Sequence, residues 1–254
     1  MKKALISLSA LLLSLTSFAS SDFGVGMGLG VSNSLYKGDD EKSSPVPVLN
    51  IDYGNLYIRG AADLEDKSLS VGYTFYQDDM FAASLFVDPL SGFDVDGDDL
   101  SSGYNNIDDR KYQAMFGVRL DADTGINGVQ TGFSAKAGKD GAEFKISAFR
   151  PTYINEKLIL VPSVYMKGYT ADYADYYFGV TSEEAKRNSK ISKKYEADAA
   201  YSFGANLTAE YSLSDNLALL AFLGVEKFSS EITDSPIVDD DILYLMGIGA
   251  KYHF

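Results

Sequence analysis

The residues able to do chemistry form three clusters and one singleton. Asp94, Asp96 and Asp98, within Asp94-Val95-Asp96-Gly97-Asp98-Asp99, set carboxylates at alternate positions, a spacing of oxygen ligands that suits calcium. The run departs from an EF-hand loop, because its glycine is fourth instead of sixth and its twelfth residue, Asn105, supplies no bidentate carboxylate. The competing reading is a solvated acidic loop whose charge limits self-association. Lys186, Arg187, Lys190, Lys193 and Lys194 fall within nine residues and suit the phosphates of lipopolysaccharide, or else form an ordinary polar loop. Tyr165, Tyr169, Tyr173, Tyr176 and Tyr177 offer faces for stacking a sugar or drug, or an interfacial girdle running into a self-packed loop. The singleton is His253, the only histidine. A Ser-His or Asp-His site needs a base held beside a nucleophile, usually by a third group, and no such partners can be identified. No catalytic residue is therefore assigned, and no enzyme, metal or cofactor is expected.

Such residues need elements to hold them, and the chain reads as strands. Val25, Met27, Leu29 and Val31 alternate with Gly24, Gly26, Gly28 and Gly30, and Leu69, Val71, Tyr73 and Phe75 with Ser68, Ser70, Gly72 and Thr74. Tyr112, Ala114, Phe116, Val118 and Leu120 alternate with Gln113, Gly117, Arg119 and Asp121, Met115 being the exception. Segments 201–213 and 242–254 repeat the pattern, and 46–53, 55–62, 80–87, 127–137, 142–153, 157–169 and 217–227 show it more weakly. Twelve strands result, with ten or fourteen left open. Period-two alternation puts one set in lipid and the other inside a barrel, and a one-residue slip would turn each polar set outward. Arg59, Arg119, Lys136, Lys145, Glu143, Glu210 and Glu226 then line a lumen or form a closed, ion-paired interior.

The connections agree. The odd-numbered gaps, at 36–45, 63–67, 88–111, 138–141, 170–196 and 228–241, include every long one, and the even-numbered gaps are all short. With both termini periplasmic, this is the asymmetry of short inner turns and long outer loops found in outer-membrane barrels. The expected fold is an all-β, transmembrane, antiparallel up-and-down barrel spanning 20–254 as a single domain.

The chain ends fit an exported barrel. Lys2 and Lys3, the apolar stretch Ala4 to Leu15 and Ser17-Phe18-Ala19 read as a signal peptide over 1–19, cleaved before Ser20. At the other end Tyr252 and Phe254 stand two apart on the apolar face, a terminal signal of the kind read by the barrel-insertion machinery. Losing the signal removes two lysines and moves the formal charge from −14 to about −16, which makes nucleic acid a poor partner. With no cysteine there is no disulfide, thiolate metal site or lipid attachment.

Tyr36-Lys37-Gly38-Asp39-Asp40 leading to Pro45-Val46-Pro47, then Tyr53-Gly54-Asn55-Leu56-Tyr57, resembles the opening of the MipA/OmpV family. Gly72-Tyr73, Tyr176-Tyr177-Phe178-Gly179-Val180 with Glu183-Glu184-Ala185, Ser235-Pro236-Ile237-Val238 and Tyr252-His253-Phe254 extend the match over essentially the whole mature chain. The resemblance implies an integral protein of the outer membrane, with membrane lipid, lipopolysaccharide and the insertion machinery as its surroundings. It also implies a non-enzymatic scaffold joining the lytic transglycosylase MltA to a bifunctional penicillin-binding protein. Other members resemble porin-like proteins or adhesins, so a channel or surface adhesin is the alternative. The short periplasmic turns leave little docking surface for the first role.

Overall fold

A computed structural model of the chain describes residues 23–38, 42–60 and 69–254. The signal peptide read over 1–19 and the connection at 63–67 lie outside the described residues.

Among the described residues there are thirteen extended segments: β1 (Phe23–Ser32), β2 (Lys42–Tyr53), β3 (Leu56–Arg59), β4 (Ser70–Gln77), β5 (Phe81–Ser91), β6 (Gln113–Asp123), β7 (Gln130–Gly138), β8 (Gly141–Phe149), β9 (Thr152–Tyr153), β10 (Leu158–Tyr169), β11 (Ala200–Ser212), β12 (Leu217–Phe228) and β13 (Ile242–His253). They make twelve staves. β8 pairs Phe149 with Ser163 and β9 pairs Thr152 with Leu160, so one register on β10 runs through both. The break falls at Arg150-Pro151, where proline has no N–H to give the ladder. Every stave is antiparallel to its neighbours in sequence, and β13 returns to pair with β1, closing the barrel and removing its edges.

The alternation read from the sequence sorts inside from outside. Leu29, Phe116 and Ile248 are each about two-thirds exposed on the lipid face, while Ser202 and Thr208 on the other face are completely buried. At the closing seam β1 contributes four glycines and, at its outer end, Ser32 to the interior, and a methyl built on Gly26 would run into the carbonyl of Ala250. The space left beside this bare stave is filled by Val48, Leu220 and Phe222, with Val46 and Leu245 packed against them.

The described long connections gather at one end, together with the tight turn between β7 and β8, and the remaining short turns gather with Phe23 and Phe254 at the other, so the first end is outer and the second periplasmic. The outer connections are more than loops. They contain α1 (Ala171–Phe178), α2 (Ser182–Arg187) and α3 (Ser230–Thr233), and they bury the largest apolar cluster of the described residues. Leu35 and Tyr36, Val95, Leu100 and Ile107, Tyr173 to Val180, and Ile232 to Val238 come from four different connections. Met115, the one apolar residue out of step on β6, is fully buried in this cap. Burying that much apolar surface repays the entropy of ordering the loops.

Candidate functional site

Beneath the cap lies a chamber of about 390 Å³, reached by Lys136, Glu143, Lys145, Tyr165, Lys167 and Glu226. These are the inward positions of β7, β8, β10 and β12, and cross-strand register makes them neighbours. Lys136 Nζ is 2.9 Å from Asp88 and 3.2 Å from Glu143. Glu226 accepts from four donors: Lys167 at 3.0 Å, Tyr165 at 2.8 Å, Tyr169 at 3.0 Å and Ser202 at 2.6 Å. Lys145 and Lys167 both stand over the Tyr165 ring, at 5.2 and 5.1 Å from its centre. Buried charges survive only when so paired.

A second chamber of about 530 Å³ occupies the periplasmic half of the lumen. Its cations are again matched to carboxylates. Arg59 meets Asp52 at 2.7 Å, Arg119 meets Asp121 at 3.1 Å and Lys251 meets Glu210 at 2.7 Å. His253 stands at this mouth, 3.9 Å from Glu210. The two chambers share no lining residue among those described.

The cap is locked by a further buried pair. Glu184 is completely buried, and Arg110 Nη2 donates to its Oε1 at 2.9 Å. The same carboxylate accepts from the backbone N–H groups of Asp108 at 2.9 Å and Thr181 at 2.8 Å. Burial alone would push the Glu184 carboxyl up, but these N–H groups and the guanidinium hold it below the usual carboxylate range. Arg110 also donates to the carbonyls of Gly179 and Asp108, so the acidic connection and the long connection are fastened together. Thr181 completes a capping box with Glu184 at the start of α2. Tyr177, fully buried, donates to the carbonyls of Ser91 and Lys111, and burial pushes its hydroxyl up to about 12.

The clusters singled out from sequence are distributed among these parts. Asp96 caps a turn by accepting from Asp98 N–H, and Asp94 faces Lys111 at 3.5 Å. Among the described residues no three Asp, Glu or His side chains gather as a metal site. Lys186, Arg187, Lys190, Lys193 and Lys194 are exposed on the cap. Arg187 pairs with Asp108, Lys194 with Glu196, and Lys190 lies over Tyr104. The tyrosine run corrects the girdle reading in part. Tyr165 and Tyr169 occupy the odd, inward positions of β10 and face the lumen, while Tyr173 and Tyr177 are core residues of the cap. Tyr252 and Phe254 do face outward at the periplasmic rim, their rings 4.9 Å apart. Sequence reasoning missed the Arg110–Glu184 lock and the vestibule aromatics Tyr57 and Tyr153. The lock had one visible signal, Thr181-Ser182-Glu183-Glu184, whose spacing is that of a capping box.

Comparison with known proteins gives the family. The family model for the MltA-interacting protein MipA matches residues 25–254. A 24 kDa outer membrane protein of Pasteurella multocida is 31% identical over 219 residues, covering 84% of this chain and 83% of the relative. The MltA-interacting protein of Escherichia coli K12 is 26% identical over 240 residues, covering 93% and 92%. Among solved structures the NanC porin is similar over 92% of this chain and all of its own, at 10% identity and a TM-score of 0.42. Matched over nearly all of its described length, this chain belongs to the MltA-interacting protein family and is an integral β-barrel of the outer membrane.

Proposed function

We propose that this barrel is a non-enzymatic scaffold, holding a lytic transglycosylase beside a bifunctional penicillin-binding synthase at the periplasmic end. The observation that favours a scaffold over an open pore is the cap. Its aromatic core, with Tyr173, Tyr177 and Phe178 fully buried, lies across the outer mouth, and the chamber beneath is filled with paired charges. A relative named for interaction with MltA supplies the class of partner. Since the periplasmic turns are short, contact has to use the rim itself, where Tyr53, Leu56, Ile126 and Ile154 are exposed. Affinity purification from crosslinked cell envelopes tests this. Enrichment of both murein enzymes over an unrelated barrel is expected; efficient recovery of the barrel without them overturns the scaffold.

A porin-like channel is the second reading, favoured by charged side chains that line both chambers of the lumen. Steady single-channel conductance in planar bilayers by the purified chain would replace the scaffold with this reading. The exposed Lys186, Arg187, Lys190, Lys193 and Lys194 are further proposed to touch lipopolysaccharide phosphates. Changing all five to Gln should lower lipopolysaccharide co-purification, and an unchanged amount removes the contact.

A further inference from the structure

We propose that the periplasmic chamber of the lumen is a binding site for a short, uncharged saccharide. The volume, about 530 Å³, lies in the range of small-molecule sites. Its charges decide the class of ligand. Arg59, Arg119 and Lys251 are each already matched by Asp52, Asp121 and Glu210, so the chamber offers no surplus cation to an anion. What the pairs do offer is a set of fixed donors and acceptors, side by side. Sugar hydroxyls both donate and accept, so such a wall can satisfy them at several points without neutralising anything.

One aromatic face completes the set. Tyr57 is buried beneath the Arg59 guanidinium, 5.2 Å from ring centre to charge, and serves to hold that donor in place. Tyr153 stands at the mouth with 74% of its surface exposed, although β9 holds its backbone in the ladder. An exposed ring fixed on a strand at a polar entrance is a stacking surface for the C–H face of a pyranose, and it loses little entropy on binding. The mouth opens on the side of the short turns, where Phe23 and Phe254 also lie, so the saccharide comes from the periplasm.

This inference stands on the lumen geometry and does not rest on the scaffold. A sugar bound with no murein enzyme recovered would leave the site standing and sink the scaffold alone. The test is calorimetric titration of the full chain, purified in detergent micelles, with triacetylchitotriose, maltotriose and citrate in parallel. At least one trisaccharide should bind, and citrate should not compete. Preference for chitotriose assigns the site to acetamido sugars, and equal binding assigns it to glycans at large. Tyr153→Ala should weaken binding about three- to tenfold, as loss of one stacking contact does. Tyr153→Phe should bind like the unaltered chain, as should Tyr244→Ala on the lipid face. Three results overturn the proposal: no saccharide bound, citrate bound more tightly than either sugar, or Tyr153→Ala indistinguishable from Tyr244→Ala.

Discussion

At the outer end, Tyr173, Tyr177 and Phe178 are completely buried by residues drawn from four connections, whereas at the inner end Tyr153 stands mostly exposed over a chamber walled by ion pairs. The outer end has the make-up of a small water-soluble domain, with an apolar core, short helices, a capping box and one buried charge pair. The barrel that carries it has almost no such core. Its apolar side chains face lipid, and its coherence comes from a closed ladder of antiparallel pairings that runs round the whole barrel. Two solvents, water and lipid, therefore shape two parts of one chain by opposite rules, and each part should fail under a different insult.

The sharpest break is expected from Phe178→Ala. The Phe178 ring stacks on Tyr36 at 5.6 Å and meets Phe93 edge-on at 5.1 Å, and truncating a buried aromatic costs about 3–5 kcal/mol. Proteases should then cut the outer connections while the barrel keeps its heat-modifiable mobility on gels. If both are lost together, cap and barrel are one cooperative unit. The converse change is Leu223→Arg, which places a charge on the lipid face of β12 near mid-height. It should cost the barrel about 2–4 kcal/mol in refolding experiments and leave the protease resistance of folded cap intact.

A smaller effect follows from Glu184. Its folded carboxyl is held below the ordinary value, so its contribution is present above the ordinary carboxylate range and is lost as pH falls through the depressed folded value. Acidification below pH of about 4 should loosen the cap, followed by proteolysis with an acid protease. Glu184→Gln should show a looser cap at neutral pH and little further change with acid. Tyr177 acts at the other extreme. Its hydroxyl is raised, so the stability it lends is present below pH 10 and is lost as pH rises towards about 12. A phenolate absorbance titration should find this tyrosine among the late-ionising ones, and Tyr177→Phe should lower the amplitude of that late component by one tyrosine while buried Tyr173 keeps the rest. Smallest of all is Arg187→Ala. Its pairing with Asp108 is solvent-exposed, and cap proteolysis should proceed as in the unaltered chain.

The unequal legibility of the two parts has the same origin. Strand alternation is a local signal, because lipid and lumen are both reached within one residue, and β6, β11 and β13 were readable from single segments. The inward charges Arg59, Arg119, Lys136, Lys145, Glu143, Glu210 and Glu226 were readable for the same reason. Their partners were not, since joining Lys136 to Asp88 or Lys167 to Glu226 requires the register between strands. The cap was hardest. Its core is assembled from residues such as Leu35, Val95, Tyr177 and Ile237, which no short window brings together. Met115, out of phase with its strand, was the one trace of the cap in the barrel's own pattern.

The bare glycine stave has a consequence for the order in which the chain assembles. All other strand pairings join neighbours along the chain, and only β1 with β13 joins its two ends. That contact carries the largest loop-closure entropy in the molecule and is therefore the slow, late step of folding. At that step two strands must slide to a final alignment across nine paired positions, from Gly24 with His253 to Ser32 with Leu245. Side chains on the inner face of β1 would interlock in every wrong alignment and have to be freed again. A row of hydrogens slips past each of them, so the last search runs over a smooth surface and stops where the backbone ladder is complete.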